Sequence, residues 1–131
     1  MTSVRDTRSG SERAPRTVIV ADDETELRET IAEYLSGQGY EVLQAGNGLE
    51  TLLLVKRNAP AAVILDLAMP RLGGLDTLKH IHAFNSAIAV IILSGFLDAE
   101  ARRRALELGA RAIIDKPLVL SELLRALEAA R

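Results

Sequence analysis

Four short aliphatic runs in this sequence end in polar residues suited to phosphate chemistry: Asp22 and Asp23, Asp66, Ser94 and Lys116. A carboxylate can attack phosphorus and form an acyl phosphate, and clustered carboxylates are the hard oxygen ligands that Mg²⁺ prefers. A lysine ammonium and a serine hydroxyl can hold the oxygens of a phosphoryl group. Because phosphoryl transfer asks a protein mainly for positioning and charge stabilisation, these residue types favour that reaction, with Asp66 as the nucleophile.

Each of these residues also has an ordinary structural interpretation. Asp66 could simply end a strand and cap the following turn, and Asp22 and Asp23 could cap a helix. Ser94 alone is typical of a turn, and Lys116 before a proline is typical of a strand exit. Their joint occurrence, each at the end of its own aliphatic run, favours one shared site.

The aliphatic runs are predicted to be strands, and helical periodicity fills the intervals between them. The predicted strands cover residues 17–21, 40–45, 63–66, 88–93 and 111–115. Helices are expected between and after them, and Asn47 and Asp98 open two of these helices. Strands that alternate with helices form a parallel sheet covered on both faces, so we predict one doubly wound, five-stranded α/β domain. The carboxyl ends of its strands, and hence the polar residues above, meet at one edge.

Composition sets the class of protein. The 131 residues carry a net charge of −2 and no cysteine, which gives no electrostatic argument for binding nucleic acid or a membrane and excludes disulfides. No apolar run approaches the roughly 20 residues of a membrane span, and the N-terminus lacks the apolar core of a secretion signal, so a cytoplasmic location is expected. Residues 1–16 are rich in Ser, Thr, Arg and Gly and are predicted to be a flexible tail, with the folded domain over residues 17–131.

A series of short motifs resembles the receiver domain of bacterial two-component response regulators. In chain order the motifs are Asp22-Asp23 with Leu27-Arg28, Gly39-Tyr40-Glu41-Val42, Ala45-Gly46-Asn47-Gly48, Asp66-Leu67-Ala68-Met69-Pro70, Gly73-Gly74-Leu75, Ser94-Gly95, Gly109-Ala110 and Lys116-Pro117. Each motif alone is weak, but the whole series in this order is very specific. The resemblance covers nearly everything outside the tail.

The resemblance implies a CheY-like, flavodoxin-like fold with strand order 2-1-3-4-5 and gives each polar residue a role. Asp66 would accept a phosphoryl group from a phosphohistidine of a sensor histidine kinase or histidine phosphotransfer protein, and Ser94 and Lys116 would hold the phosphoryl oxygens. The cofactor would be Mg²⁺, and its protein ligands would come from the acidic pocket, the phosphoacceptor and one main-chain carbonyl: Asp22, Asp23, Asp66 and Ala68. The family also usually has a cis peptide bond before a proline in the position of Pro117.

The resemblance further implies a signalling switch rather than a turnover enzyme. Phosphorylation would change the face formed by the fourth helix, the last strand and the last helix, within residues 98–131, which could bind an effector or a second copy. Ile113 stands where the family commonly has Tyr or Phe, so we expect a weaker or differently shaped change on that face. Neither Ala68 nor Phe96 can orient an attacking water, so we expect slow self-dephosphorylation.

Two other functions fit parts of the sequence. A receiver-like interaction domain that is never phosphorylated is the main alternative, and Ile113 keeps it open. A Mg²⁺-dependent phosphohydrolase is disfavoured, since such enzymes often carry an acid–base Asp two residues after the nucleophile, where this chain has Ala68. His80 and His82 are two positions apart on a helix and do not face each other as metal ligands would. The run 102–104, three arginines, is typical of a solvated helix face, with a dimer or partner surface as the alternative.

Overall fold

Aliphatic strands alternate with amphipathic helices through the part of the chain that the computed structural model describes, residues 16–69, 71–95 and 97–130. The strands are β1 (Thr17–Ala21), β2 (Glu41–Ala45), β3 (Ala62–Asp66), β4 (Ala89–Ser94) and β5 (Ala110–Asp115). The helices are α1 (Thr25–Gly37), α2 (Gly48–Asn58), α3 (Gly74–Phe84), α4 (Ala99–Glu107) and α5 (Leu120–Ala129). The predicted alternation of strands and helices is confirmed.

The strands form one parallel sheet with the order β2-β1-β3-β4-β5, which confirms the predicted order 2-1-3-4-5. At its centre, Ala21 of β1 pairs with Leu65 of β3, so the residues that follow these two stand side by side. Every residue of β3 and β4 is buried, as their aliphatic composition predicts for strands covered on both faces.

The sheet has a separate apolar core on each face. Because successive side chains of a strand point to opposite faces, Ile19 and Val63 pack on one side while Val18 and Ile64 pack on the other. The first core is covered by α2, α3 and α4, and the second by α1 and α5. These two cores fix the sheet whose carboxyl edge carries the polar residues.

Several strands begin or end one residue away from the predicted position. β2 begins at Glu41 rather than Tyr40, β3 and β5 begin one residue earlier than predicted, and β4 extends to include Ser94. Pairing explains two of these ends, since Thr17 is the partner of Glu41 and Asp115 is the partner of Ser94. The end of a strand is therefore set by the register of its neighbour as well as by its own residues.

Three local predictions are confirmed. The side chain of Asn47 accepts a hydrogen bond from a main-chain N–H of α2 at 2.8 Å, and Asp98 does the same for α4 at 2.8 Å, so both cap their helices. The peptide bond between Lys116 and Pro117 is cis. All three features lie in loops that follow strands.

Part of the predicted tail, residues 1–15, lies outside the described residues, as do Pro70 and Phe96. Among the helices that the structure describes, none combines the length and the apolar character that crossing a membrane requires.

Candidate functional site

Three carboxylates converge at the carboxyl edge of the sheet. Asp22 and Asp23 directly follow β1, and Asp66 is the last residue of β3. One carboxylate oxygen from each of the three lies within 4.8 Å of the other two. The alignment of Ala21 with Leu65 in adjacent strands produces this meeting, because the next residue of each chain segment arrives at the same place. The structure therefore brings together the three acids that the sequence singled out.

Asp22 is fully buried, and most of its polar atoms are already bonded. Its N–H donates to the carbonyl of Ala45 at 3.0 Å, and its Oδ1 accepts from the N–H of Glu24 at 2.9 Å. Its Oδ2 is buried and has no hydrogen-bond partner among the described residues, although Nζ of Lys116 lies 3.5 Å away at ion-pair distance. Leaving a buried carboxylate oxygen without a hydrogen bond is costly, so this atom is suited to a cation.

Asp66 is almost completely buried, at 3% exposure. Its Oδ1 accepts a hydrogen bond from the N–H of Ala68 at 3.1 Å, and its Oδ2 lies 3.6 Å from Nζ of Lys116. Burial raises the pKa of Asp66 above its ordinary value, and the neighbouring charge of Asp22 raises it further; the Ala68 N–H and Lys116 oppose this only in part. An anion destabilised in this way gains from the arrival of another positive charge.

Lys116 extends over the carboxylates from the loop after β5. Its Nζ lies 3.5 Å from Asp22, 3.6 Å from Asp66 and 3.7 Å from Glu24. Its main-chain N–H donates to the carbonyl of Ser94 at 2.7 Å, which ties the ends of β4 and β5 together. Burial alone would lower the pKa of Lys116, but the three carboxylates outweigh burial and raise it, so the ammonium stays charged.

The other two predicted site residues lie at the same edge. Ser94 is the buried last residue of β4, one position after Leu93, which pairs with Asp66. Ala68 lies in the turn after β3, and its main chain is next to the Asp66 carboxylate through the hydrogen bond described above. All the site residues chosen from the sequence are thus found at one edge of the sheet, while the role of each in binding stays a prediction.

The contacts of two residues at this edge are missed by reasoning from the sequence, although Arg28 belongs to the first motif of the family resemblance. Glu24 supplies an N–H to Asp22 and a carboxylate near Lys116, and its only signal is its place at the end of an acidic triplet. Arg28 on α1 donates from Nη1 to the main-chain carbonyl of Asp22 at 3.0 Å and from Nε to Oε1 of Gln44 at 3.0 Å. A contact from a helix to the main chain of a distant loop leaves no periodic pattern that a sequence could reveal.

The donor set of this edge fits Mg²⁺. That ion prefers carboxylate, carbonyl and water oxygens, and it usually keeps several of its waters. Asp22 and Asp66 offer buried oxygens, and Asp23 is exposed, which leaves one side of the cluster open to solvent. The Oδ2 of Asp22, which has no hydrogen-bond partner among the described residues, is the clearest sign that the cluster suits a cation in addition to Lys116.

The histidines and the arginine run make contacts that do not involve the acid cluster. The Nδ1 atom of His80 is 2.7 Å from a main-chain carbonyl of its own helix, and the ring of His82 lies against Gly109, so the two rings do not form a pair. Arg102 forms an exposed ion pair with Asp115 at 3.1 Å, and the next arginine pairs with two glutamates of α4. These contacts agree with a solvated face on α4.

Comparison with known sequences gives one family. A family model described as response regulator receiver domain matches residues 18–128. Transcriptional regulatory protein PdtaR from Mycobacterium tuberculosis is 37% identical over 117 residues, which cover 88% of this chain and 57% of that relative. Response regulator MprA from Mycobacterium sp. is 35% identical over 115 residues, which cover 88% of this chain and 50% of that relative. The chain therefore spans about half the length of these two relatives.

Solved structures give the same fold. A response regulator receiver domain protein from Clostridium thermocellum is 33% identical with a TM-score of 0.83, over 88% of this chain and 93% of that one. The receiver domain of NtrX from Brucella abortus is 31% identical with a TM-score of 0.81, over 86% and 96% of the two chains. A CheY-like receiver domain protein from Methanospirillum hungatei, at 24% identity over 88% and 92%, has a TM-score of 0.85 and supports the fold alone.

Proposed function

This chain belongs to the response regulator receiver domain family, and we propose that it works as a phosphoacceptor switch in which Asp66 receives a phosphoryl group from a phosphohistidine. Receiver domains of this family are signalling modules of two-component systems. The observation that carries the proposal is the meeting of Asp22, Asp23, Asp66 and Lys116 at one sheet edge, with distances of 3.5 and 3.6 Å from Lys116 to the two buried acids.

The proposed step is an in-line displacement at phosphorus. A carboxylate oxygen of Asp66 forms the new P–O bond while the P–N bond to the donor histidine breaks. The donor ring, whose second nitrogen carries a proton, keeps the bonding electron pair and leaves as neutral imidazole, and the product is an acyl phosphate. The chain must hold Asp66 as an anion and balance the negative oxygens of the incoming group. Lys116 supplies positive charge for those oxygens, and the Ser94 hydroxyl supplies a hydrogen bond.

The acid cluster would hold Mg²⁺ during this step. Its ligands would be the carboxylates of Asp22, Asp23 and Asp66 and the backbone carbonyl of Ala68. The bound ion supplies charge neutralisation when an anionic phosphoryl group approaches an anionic carboxylate. Support comes from the Oδ2 of Asp22, which has no hydrogen-bond partner among the described residues, and from the raised pKa of Asp66, since a nearby cation stabilises both carboxylates.

The partners follow from this role. The donor would be a sensor histidine kinase or a histidine phosphotransfer protein, and the face of α4, β5 and α5 would pass the signal to an effector or to a second copy of the chain. The net charge of −2 gives no bulk electrostatic argument for binding nucleic acid or a membrane, so we infer that this domain binds neither directly. We infer a cytoplasmic location and a role as phosphoacceptor rather than turnover enzyme.

Incubation with acetyl phosphate and Mg²⁺, followed by measurement of the intact mass, tests the proposal. The wild-type chain is expected to gain the mass of one phosphoryl group, and Asp66→Asn is expected to gain none. Asp76→Asn, which alters an exposed aspartate on α3, is the matched control and should be modified like the wild type. Addition of EDTA should abolish the modification of both.

Other outcomes would favour the other functions. If the wild-type chain stays unmodified with acetyl phosphate and with a phosphohistidine donor, the phosphorylation-independent interaction domain is favoured; Ile113 is the observation that supports it. Steady release of inorganic phosphate without any phosphorylated protein would indicate a phosphohydrolase instead.

A further inference from the structure

Arg28 lies on α1, yet its guanidinium reaches the main chain that carries the acid cluster. Its Nη1 donates to the carbonyl of Asp22 at 3.0 Å, and its Nε donates to Oε1 of Gln44 at 3.0 Å. Asp22 follows β1 and Gln44 belongs to β2, so one side chain on a helix bridges the ends of two neighbouring strands. This contact fixes the position of the loop between β1 and α1.

The hydrogen bonds of Asp22 show which atoms the contact with Arg28 helps to position. The N–H of Asp22 is bonded to Ala45, its carbonyl to Arg28, and its Oδ1 to the N–H of Glu24. Only its Oδ2 has no hydrogen-bond partner among the described residues, and that atom belongs to the acid cluster. Arg28 therefore holds the residue whose free oxygen is available to a cation.

The guanidinium also lies against the loop after β2. A Cβ atom at Gly46 would lie 3.4 Å from Nη1 of Arg28 and 3.7 Å from Oε1 of Glu50. The same Oε1 accepts the N–H of Gly46 at 2.7 Å. Arg28 and Glu50 thus flank one glycine, and the neighbours of Arg28 extend from the β1–α1 loop to the loop after β2.

We propose that Arg28 is a positioning residue for the divalent cation: it holds the β1–α1 loop so that Asp22 and Asp23 present their oxygens in a fixed geometry. The inference rests on the proposed function, because that function requires the cation. Arg28 acts through the main chain of Asp22, which distinguishes it from the residues that would bind the ion.

A positioning role and simple charge repulsion predict opposite changes in Mg²⁺ affinity when Arg28 is removed. A guanidinium near a cation site repels the cation, so removing it would strengthen Mg²⁺ binding if simple electrostatics dominated. Removing a group that orients metal ligands weakens binding instead, by about 10- to 100-fold in known metal sites. The direction of the change in affinity therefore separates the two explanations.

Calorimetric titration of the unphosphorylated chain with MgCl₂ measures the Mg²⁺ affinity of the wild type and of each variant. Arg28→Ala is expected to bind Mg²⁺ about tenfold more weakly than the wild type. Gln44→Leu keeps every charge but removes one anchor of the guanidinium, and we expect a smaller change in the same direction. Arg57→Ala removes an exposed positive charge from α2 and is the matched control, expected to equal the wild type. Equal or tighter binding by Arg28→Ala overturns the proposal.

Phosphorylation kinetics give a second measurement. In Arg28→Ala the Mg²⁺ concentration for half-maximal phosphorylation should rise, while the rate at saturating Mg²⁺ should stay near that of the wild type. A loss of rate that saturating Mg²⁺ does not restore would contradict a positioning role. Thermal unfolding in EDTA shows whether Arg28→Ala folds. If it does not, the Mg²⁺ affinity and the Mg²⁺ dependence of phosphorylation of Gln44→Leu test the proposal instead. Failure of the proposed function itself looks different, since the wild-type chain then gains no phosphoryl group at all.

Discussion

The surroundings of Asp66 disfavour its negative charge when no metal ion is bound. Its pKa lies above the ordinary value of 3.8, first because of burial and then because of Asp22. Since this pKa is higher in the folded chain than in the unfolded chain, the stabilising contribution is complete at low pH and is lost as the pH rises through the folded pKa. At neutral pH without metal, ionised Asp66 therefore lowers the free energy of unfolding.

Asp66→Asn is accordingly expected to be more stable than the wild type in EDTA at pH 7, with a melting temperature several degrees higher. The advantage should shrink as the pH falls and disappear below 3.8, where the carboxyl is neutral in both the folded and the unfolded chain. Thermal unfolding followed by circular dichroism over a pH series measures this. A wild-type chain that is the more stable of the two at pH 7 would be inconsistent with the environment described for Asp66.

The residue at position 68 should govern the lifetime of the phosphorylated form. Ala68 is exposed and has no polar group with which to orient an attacking water. Ala68→Asn places an amide next to Asp66, so we expect it to shorten the lifetime of the acyl phosphate several-fold. The decay of the phosphorylated mass after removal of the donor, with Mg²⁺ present, measures this. An unchanged lifetime would show that water is positioned by other groups; Phe96, the other residue expected not to orient a water, lies outside the described residues.

At the scale of elements, the turn between β3 and α3 depends on how closely the helix approaches the strand end. A Cβ atom at Gly74, the first residue of α3, would lie 2.4 Å from the Cα atom of Leu67, whereas a Cβ atom at Gly73 would meet nothing within 4 Å. Leu67 directly follows Asp66, so the approach at Gly74 also positions the proposed phosphoacceptor. Two adjacent glycines thus differ sharply in the space around them.

Gly74→Ala is therefore expected to lower the free energy of unfolding by about 1–3 kcal/mol, since the added methyl group meets backbone that cannot move aside freely. Gly73→Ala, its neighbour and matched control, should change stability by no more than about 0.5 kcal/mol. Urea unfolding of both variants measures the difference. Similar stabilities for the two variants would mean that the turn tolerates the extra atom.

Ile113 affects the expected size of the conformational change that phosphorylation would produce in α4. It lies in β5 and packs, partly buried, against the core covered by α2, α3 and α4. It has no aromatic ring to reorient when a phosphoryl group arrives near Ser94, so we expect only a small or differently shaped displacement of α4. Structures with and without a non-transferable phosphoryl mimic measure the displacement. A shift at Ile113 and α4 as large as in relatives with an aromatic residue at this position would refute the expectation.

Sequence reasoning succeeds for the elements and falls short for contacts between them. The strands, the helices and the caps at Asn47 and Asp98 follow from local residue patterns, and the strand order came from the resemblance. The gathering of the acids follows from parallel pairing alone. The contact of Arg28 with Asp22 does not, because it depends on how a helix packs across the sheet.

The same limit applies to details of pairing. A register shift interrupts the pairing of β4 with β5 at Val90 and Ile91. Val90 pairs with Ala110 and Ile91 with Ala112, so the exposed Arg111 is the extra residue of β5. A single charged residue in a strand does not by itself predict such a shift. Ala59 ends α2 with a φ of 44°, in the left-handed region where glycine is the usual residue. Such features are set by the three-dimensional path of the chain between fixed elements.

At the scale of the whole molecule, the described part of the chain builds both cores and the acid cluster from residues after position 16. We therefore predict that a chain lacking residues 1–15 unfolds at the wild-type temperature and is phosphorylated at the wild-type rate. Thermal unfolding and the intact-mass assay measure the two properties. A melting temperature lower by several degrees, or a slower reaction, would give the N-terminal segment a role that its composition does not indicate.

The two ends of the described chain lie at the edge of the sheet opposite Asp66. Arg16 and Ala130 both line one cavity of about 270 Å³, and Asn85 and Ala87, in the loop between α3 and β4, line it too. Consider a circularly permuted protein in which a short linker joins Ala130 to Arg16 and new chain ends are opened in the loop between α3 and β4. Every strand pair of the sheet would stay intact. We expect Asp66 of the permuted protein to be phosphorylated still, because the proposed reaction depends on which strands are neighbours in the sheet and not on their order in the sequence.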